Sequence, residues 1–282
     1  MKKGTVIAIT IISAGLFLAL VNYGLQHSRG TPVEIEDTET TTMVVPFKDN
    51  QIDLGEGISS DIWDGLNAKN IEMMYQVMVL PWGKSLISPV TVRAFHNNKD
   101  IYFYMSWKDE TRDSTKKTNK FHDACGIMFP IEKKEQPSTI LMGFMGKANI
   151  WQWKSNQNKE YWFNKGVEIK SYADFHYPFE DKELFPVSKI APVSAVNDLL
   201  AIRIGTITHK NEQIVQGRGI WENGIWQVVF KRSLEHVSIE DDVGFTLGGE
   251  KMLCAFAVWN GATKDRGGRK SISGWVELEL AE

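Results

Sequence analysis

Two stretches concentrate side chains whose chemistry goes beyond packing. Met142–Lys154 reads M-G-F-M-G-K-A-N-I-W-Q-W-K, with methionines, glycines and tryptophans close together. Val258–Trp275 reads V-W-N-G-A-T-K-D-R-G-G-R-K-S-I-S-G-W, a cationic, glycine-rich centre between two tryptophans. A thioether is a soft, neutral donor. A lysine amine becomes a donor once its proton is lost. Glycines let a backbone approach a ligand closely, and tryptophans supply apolar walls. Taken singly, each residue has a plainer use. Methionine fills cores, a lysine in a Gly/Arg loop is a solvated charge, tryptophan buries a large area wherever it sits, and Arg266 and Arg269 make a solvated turn.

The familiar catalytic patterns are missing. The histidines (His27, His96, His122, His176, His209 and His236) form no H-x-x-x-H, H-x-H or H-E-x-x-H. There is no G-x-S-x-G, no P-loop, and no G-x-G-x-x-G between a strand and a helix. No carboxylate pair stands out for glycoside chemistry. Without C-x-x-C-H there is no covalent c-type haem, and without C-x-x-C no cysteine-held iron–sulfur cluster or zinc ribbon. The residues therefore point away from substrate chemistry on this chain.

The elements that must position these stretches read as β-strands. Val90, Val92 and Ala94 alternate with polar or outward residues over Pro89–Phe95, His96–Asp100 is a turn, and Ile101, Phe103, Met105 and Trp107 share the face of a returning strand. Asn223-Gly224, between β-rich arms running from Gly219 to Arg232, predicts a type I′ hairpin. Further strands are expected at Met73–Leu80, Asp123–Phe129, Ala148–Lys154, Leu199–Thr208, Val243–Leu247, Lys251–Trp259 and Gly274–Leu280. Tyr172–Asn197 has no period and carries Pro178, Pro186 and Pro192 among aromatics, so it covers the core or meets a partner. The fold expected is all-β: an antiparallel β-sandwich with short helical or irregular insertions, preceded by one N-terminal hydrophobic helix.

At 282 residues and 43% hydrophobic, the chain suffices for one sizeable core. A net charge of −3 and a pI near 6.1 argue against nucleic acid as a partner. Met1-Lys2-Lys3 precedes an apolar run, Thr5–Val21, a little short of the roughly 20 residues needed to span a bilayer. That pattern predicts export, with residues 1–28 a signal peptide or an uncleaved membrane anchor. Residues 29–45, Thr-rich and acidic, read as a solvated linker, and 46–282 as the sandwich. Cys125 and Cys254 lie in strand-like runs, either as one disulfide or as two buried free thiols.

The order of motifs carries a resemblance. It runs V-x-A-x-H-N-N-x-x-I-Y-F-x-x-x-W-x-D (Val92–Asp109), D-A-x-x-x-x-F-P (Asp123–Pro130), M-G-x-x-G-x-A-N-I-W-x-W-K (Met142–Lys154), then A-V-W-N-G with R-G-G-R-K-S-I-S-x-W (Ala257–Trp275). Over roughly Trp63–Leu280 this resembles the haem b-binding γ subunits of the type II dimethyl-sulfoxide-reductase family of molybdenum enzymes. That group includes the ethylbenzene, dimethyl sulfide, chlorate, selenate and nitrate/nitrite oxidoreductases. The resemblance implies one haem b at an edge of the sandwich with a methionine and a lysine as axial ligands. They are Met142, in the M-G segment before the N-I-W strand, and Lys270, in the glycine-rich segment before Ser271; Met145 is the alternative methionine. It further implies that Gly143, Gly146, Gly267 and Gly268 admit the macrocycle, that Trp151, Trp153, Trp259 and Trp275 wall it, and that Arg266 and Arg269 pair with propionates. The partners implied are the iron–sulfur β subunit and molybdopterin α subunit of a heterotrimer, and an external c-type cytochrome or quinone system. A reading of another class is a membrane-tethered carbohydrate-binding-like module without cofactor, which would use exposed tryptophans.

Overall fold

The computed structural model describes residues 41–58, 61–77, 80, 86–115, 119–163, 192–235 and 240–282. The expected N-terminal helix, and residues 172–191 of the proline-rich stretch, lie outside the described residues. The strands are β1 (Thr41–Val45), β2 (Lys69–Ile71), β3 (Met73–Tyr75), β4 (Val90–His96), β5 (Asp100–Lys108), β6 (Ala124–Pro130), β7 (Ala148–Lys154), β8 (Val196–Ala201), β9 (Ile207–His209), β10 (Gln216–Glu222), β11 (Ile225–Ser233), β12 (Met252–Trp259), β13 (Ser271–Ser273) and β14 (Val276–Leu280). A single described α-helix, α1 (Ser155–Phe163), follows β7.

Alternation explains the architecture. On β5, Ile101, Phe103, Met105 and Trp107 enter the main core, while Tyr102 and Tyr104 point the other way. β5 pairs with β4 and β11 in a five-stranded antiparallel sheet, order β10-β11-β5-β4-β2. The second sheet runs β1-β14-β12-β6-β7-β8-β9, with β13 paired to β12 and β3. The two sheets face each other across Phe103, Phe129, Trp151, Trp153, Trp226 and Phe256, all fully or almost fully buried. This is the expected β-sandwich. The outer face of the five-stranded sheet is itself covered: Ile52, Leu54 and Trp63 pack on Phe95, Tyr102 and Tyr104.

The Asn223-Gly224 turn forms as the sequence predicts, with φ 51° and 76° at its two residues. Other elements differ. Thr41–Val45, assigned to the linker, is a strand whose Met43 and Val45 are buried, and it pairs parallel with β14. Its Thr and Val residues suit a pleated surface as well as a tether. Leu199–Thr208 is two strands, because Thr206 Oγ1 accepts the amides of Ile202 and Arg203 and turns the chain. Val243–Leu247 makes no ladder, although Val243 and Phe245 plug the core. Of Met73–Leu80, Met73–Tyr75 is strand.

Helix α1 has no apolar stripe and is held by hydrogen bonds. Asn158 Oδ1 accepts from Trp153 Nε1 and the Gly219 amide, and its Nδ2 donates to Gly219 O. Gln157 Nε2 donates to Ser194 O at 2.8 Å and Asn197 Oδ1 at 3.0 Å, joining the helix to the start of β8.

The cysteines are free and buried. Cys125 lies opposite Val258, four residues along β12 from Cys254, about 13 Å of strand. A disulfide needs Cα atoms within roughly 7 Å.

Candidate functional site

Strand alternation on β12 separates two faces. Cys254, Phe256 and Val258 enter the core, so Ala255, Ala257 and Trp259 stand on the outer face of the larger sheet. Across the ladder, Ala257 lies opposite Gly126 of β6, and Ala255 opposite Met128. Small residues thus leave a shallow floor beside Trp259, whose ring lies along Gly126. A Cβ there would sit 3.7 Å from ring atom Cζ3 and 3.0 Å from Trp151 O.

The turn that delivers Lys270 is tight. The Arg266 amide donates to Arg269 O at 3.1 Å and the Arg269 amide to Arg266 O at 2.9 Å, with Gly267 at φ 55°. Trp259 Nε1 donates to Gly267 O at 2.9 Å and so fixes the turn to the sheet. Lys270 O then accepts the Gln76 amide at 3.1 Å as β13 begins. The Lys270 amine lies over the Trp259 ring, 4.8 Å from its centroid. Among the described residues no carboxylate pairs with it. Desolvation alone pushes its pKa down to about 8. The amine therefore carries a desolvation cost that no carboxylate among the described residues offsets.

Met142 ends a 3₁₀ turn, Ile140–Met142, between β6 and β7; its side chain lies outside what is described. Thr139 Oγ1 accepts the Leu141 amide, and the Gly143 amide donates to Ile140 O. Gly143 has φ 98°, and a Cβ on it would collide with Ile204, so glycine is required. Trp275 Nε1 donates to Pro137 O at 3.0 Å, tying the C-terminal segment to the loop that carries Met142. Met145, the alternative, is half-exposed at 51%, its main chain clipped on both sides by the Gln136 amide.

The other expected site residues divide. Trp259 lies against Lys270. Trp151 and Trp153 do not. Paired with Ile127 and Cys125, they point inward to the core between the sheets, on the face away from Lys270, and are wholly buried. Two residues apart on one strand, they share whichever face the strand presents. Trp151 stacks among Phe103, Phe129 and Phe245, and Trp153 against Trp226. Arg266 is exposed over Phe121. Arg269 is half-buried beside Asp265, which burial raises and the guanidinium partly restores. None of the nine described tryptophans is exposed, so the platform a carbohydrate-binding surface would use is absent among the described residues. A groove of about 640 Å³ between Ile131–Gln136 and Gly249–Leu253 contains neither Met142 nor Lys270. The floor residues Gly126, Ala255 and Ala257 escape sequence reading, because small residues in a strand signal nothing until their face is known.

Comparison with known proteins bears on the family. Relatives include the respiratory nitrate reductase heme subunit ORF7 of Haloferax mediterranei, 23% identical over 222 residues, 78% of this chain and 66% of that one. The chlorate reductase γ subunit of Ideonella dechloratans is 19% identical over 201 residues, 70% and 67% of the two chains. The dimethylsulfide dehydrogenase γ subunit of Rhodovulum sulfidophilum is 24% identical over 196 residues, 66% and 58%. The chain thus spans about two thirds or less of these relatives' lengths. Among solved structures, a family 9 carbohydrate-binding module from Caldicellulosiruptor kristjanssonii aligns over 86% of this chain and 97% of its own, with TM-score 0.40 and 10% identity. A carbohydrate-binding protein from Bacteroides uniformis aligns over 85% and 100%, with TM-score 0.45 and 9% identity. Likeness at that level decides nothing about ligand. The family model described as ethylbenzene dehydrogenase matches residues 60–271, well over half of the sequence, and the chain belongs to that family.

Proposed function

We propose that this chain is an electron-transfer subunit that binds one haem b, with Met142 and Lys270 as axial ligands. In this reading it is exported and relays electrons between the iron–sulfur subunit of a molybdopterin oxidoreductase complex and an external c-type cytochrome or quinone system. The observation that carries it is the Lys270 amine on the Trp259 ring, which lies along Gly126, with no carboxylate paired to it among the described residues.

A haem held there supplies one-electron chemistry. The chain's own residues do the rest. Lys270 must present a neutral amine, and burial without a carboxylate favours that form. The Met142 thioether would be a neutral second ligand that favours the reduced metal. With both residues as ligands the group would serve electron transfer. Relatives named as heme or γ subunits support the same role.

The test is a visible spectrum of the full chain produced with haem available. A low-spin haem b spectrum is expected, lost or shifted in Met142→Ala and in Lys270→Ala. A colourless wild type, or both variants with unchanged bands, would sink the assignment.

A further inference from the structure

Three motif segments meet at one buried point. Trp107-Lys108-Asp109 ends β5, Asp123-Ala124 starts β6, and Trp259-Asn260-Gly261 leaves β12. Asp123 has no exposed surface. Its Oδ1 accepts the Gly261 amide at 2.9 Å. Its Oδ2 accepts the Asp113 amide at 2.7 Å and Trp226 Nε1 at 3.0 Å. Trp226 belongs to the five-stranded sheet, so one carboxyl joins that sheet to the root of the loop leading to Lys270.

The loop beyond Gly261 transmits that anchor. Gly261 sits so close to the sandwich that a Cβ would collide with Phe121 O and stand 2.7 Å from Asp113 Cβ. The Lys264 amide donates to Gly261 O at 3.0 Å, and Asp265 bonds Asn260 in both directions, its amide to Asn260 O at 3.0 Å and its Oδ2 from the Asn260 amide at 3.2 Å. Trp259 then holds the tip through Gly267. The loop is pinned at its root by Asp123 and at its tip by Trp259, and Lys270 follows directly.

We infer that Asp123 is the positioning residue for Lys270: by clamping the main chain at Gly261 it fixes where the amine meets the haem iron. This rests on the haem reading above. Groups behind a metal ligand set its geometry and commonly change metal affinity roughly 10–100-fold when removed. Asparagine cannot replace Asp123, because three N–H donors converge on two oxygens and an amide offers one.

The experiment titrates haemin into the full-length apo protein and reads affinity and the low-spin bands in wild type, Asp123→Asn, Gly261→Ala and Phe95→Ala. Gly261→Ala pushes the same loop while keeping the carboxyl. Phe95→Ala opens a cavity in the separate cluster on the outer face of the five-stranded sheet, where Phe95 packs on Trp63 and Tyr102, and controls for general loss of stability. Weakening of roughly 10–100-fold with altered bands is expected in the first two variants and not in the third. Wild-type affinity and bands in both loop variants would overturn the positioning role, as would an equal loss in Phe95→Ala. If Asp123→Asn does not fold, Gly261→Ala decides. A wild type that takes up no haem refutes the haem reading instead.

Discussion

Replacing Asp109 by asparagine should make the fold less sensitive to pH. Asp109 and Asp123 are both buried, and among the described residues Asp109 Oδ2 has no hydrogen-bond partner. Burial first, and then the charge of Asp109, push Asp123 up to about 7; burial raises Asp109 as well. Asp113 adds like charge to Asp109, while Trp226 donates to Asp123. The folded state therefore binds a proton more tightly than the unfolded chain. Its stabilisation is complete below the ordinary value of 3.8 and is lost as pH rises through about 7. That gap is worth about 4 kcal/mol at 1.36 kcal/mol per pH unit, and the proton belongs to the pair. Most of it is desolvation, which the substitution leaves in place. The repulsion that Asp109→Asn removes is the second and smaller cause. The Asp109 hydrogen bond from the Thr111 amide survives in the amide. Urea denaturation of the apo protein at several pH values between about 5 and 8 should show stability falling in both proteins, less steeply in the variant. Parallel profiles would refute the claim that the two carboxyls interact.

Three further outcomes follow from packing and charge. Gly219→Ala places a Cβ about 2.7 Å from Trp153 Cε2, with no space to retreat; a loss of about 1–3 kcal/mol at unchanged denaturant slope is expected. Cys125 and Cys254 should remain unlabelled by thiol reagents until denaturant is added, since burial raises both thiols, and reductant should leave Tm unchanged. Lys270→Met should abolish the haem bands yet stabilise the apo protein near pH 7 by about 1–3 kcal/mol, discounted for partial exposure. Because burial lowers Lys270 to about 8, the penalty it imposes is present below that pH and disappears toward 10.5, so the gain should fade in alkaline denaturation curves.

Much of the sandwich was legible in the order of residues. Ile101, Phe103, Met105 and Trp107 alternate, and Asn223-Gly224 dictates its turn. The faces were harder. Trp151 and Trp153 read equally well as core or as pocket wall, because period alone does not say which side of β7 looks inward; the register with Ile127 and Cys125 does. Helix α1 was invisible because Asn158 holds it through hydrogen bonds that leave no apolar period. Lys270 emerged from a motif order, and only the packing on Trp259 gives a physical reason for choosing it. Asp123 was legible only as the first residue of the D-A-x-x-x-x-F-P motif, because a lone aspartate before a strand does not show what its carboxyl holds.

The bonds from Gln157 to Ser194 and Asn197 hold α1 and the start of β8 side by side, so both ends of the connecting chain are set by the scaffold. Doubling the length of chain between such anchors costs only about 0.6 kcal/mol in closure entropy. Residues added between them should therefore leave the Lys270 turn and its supports as they are.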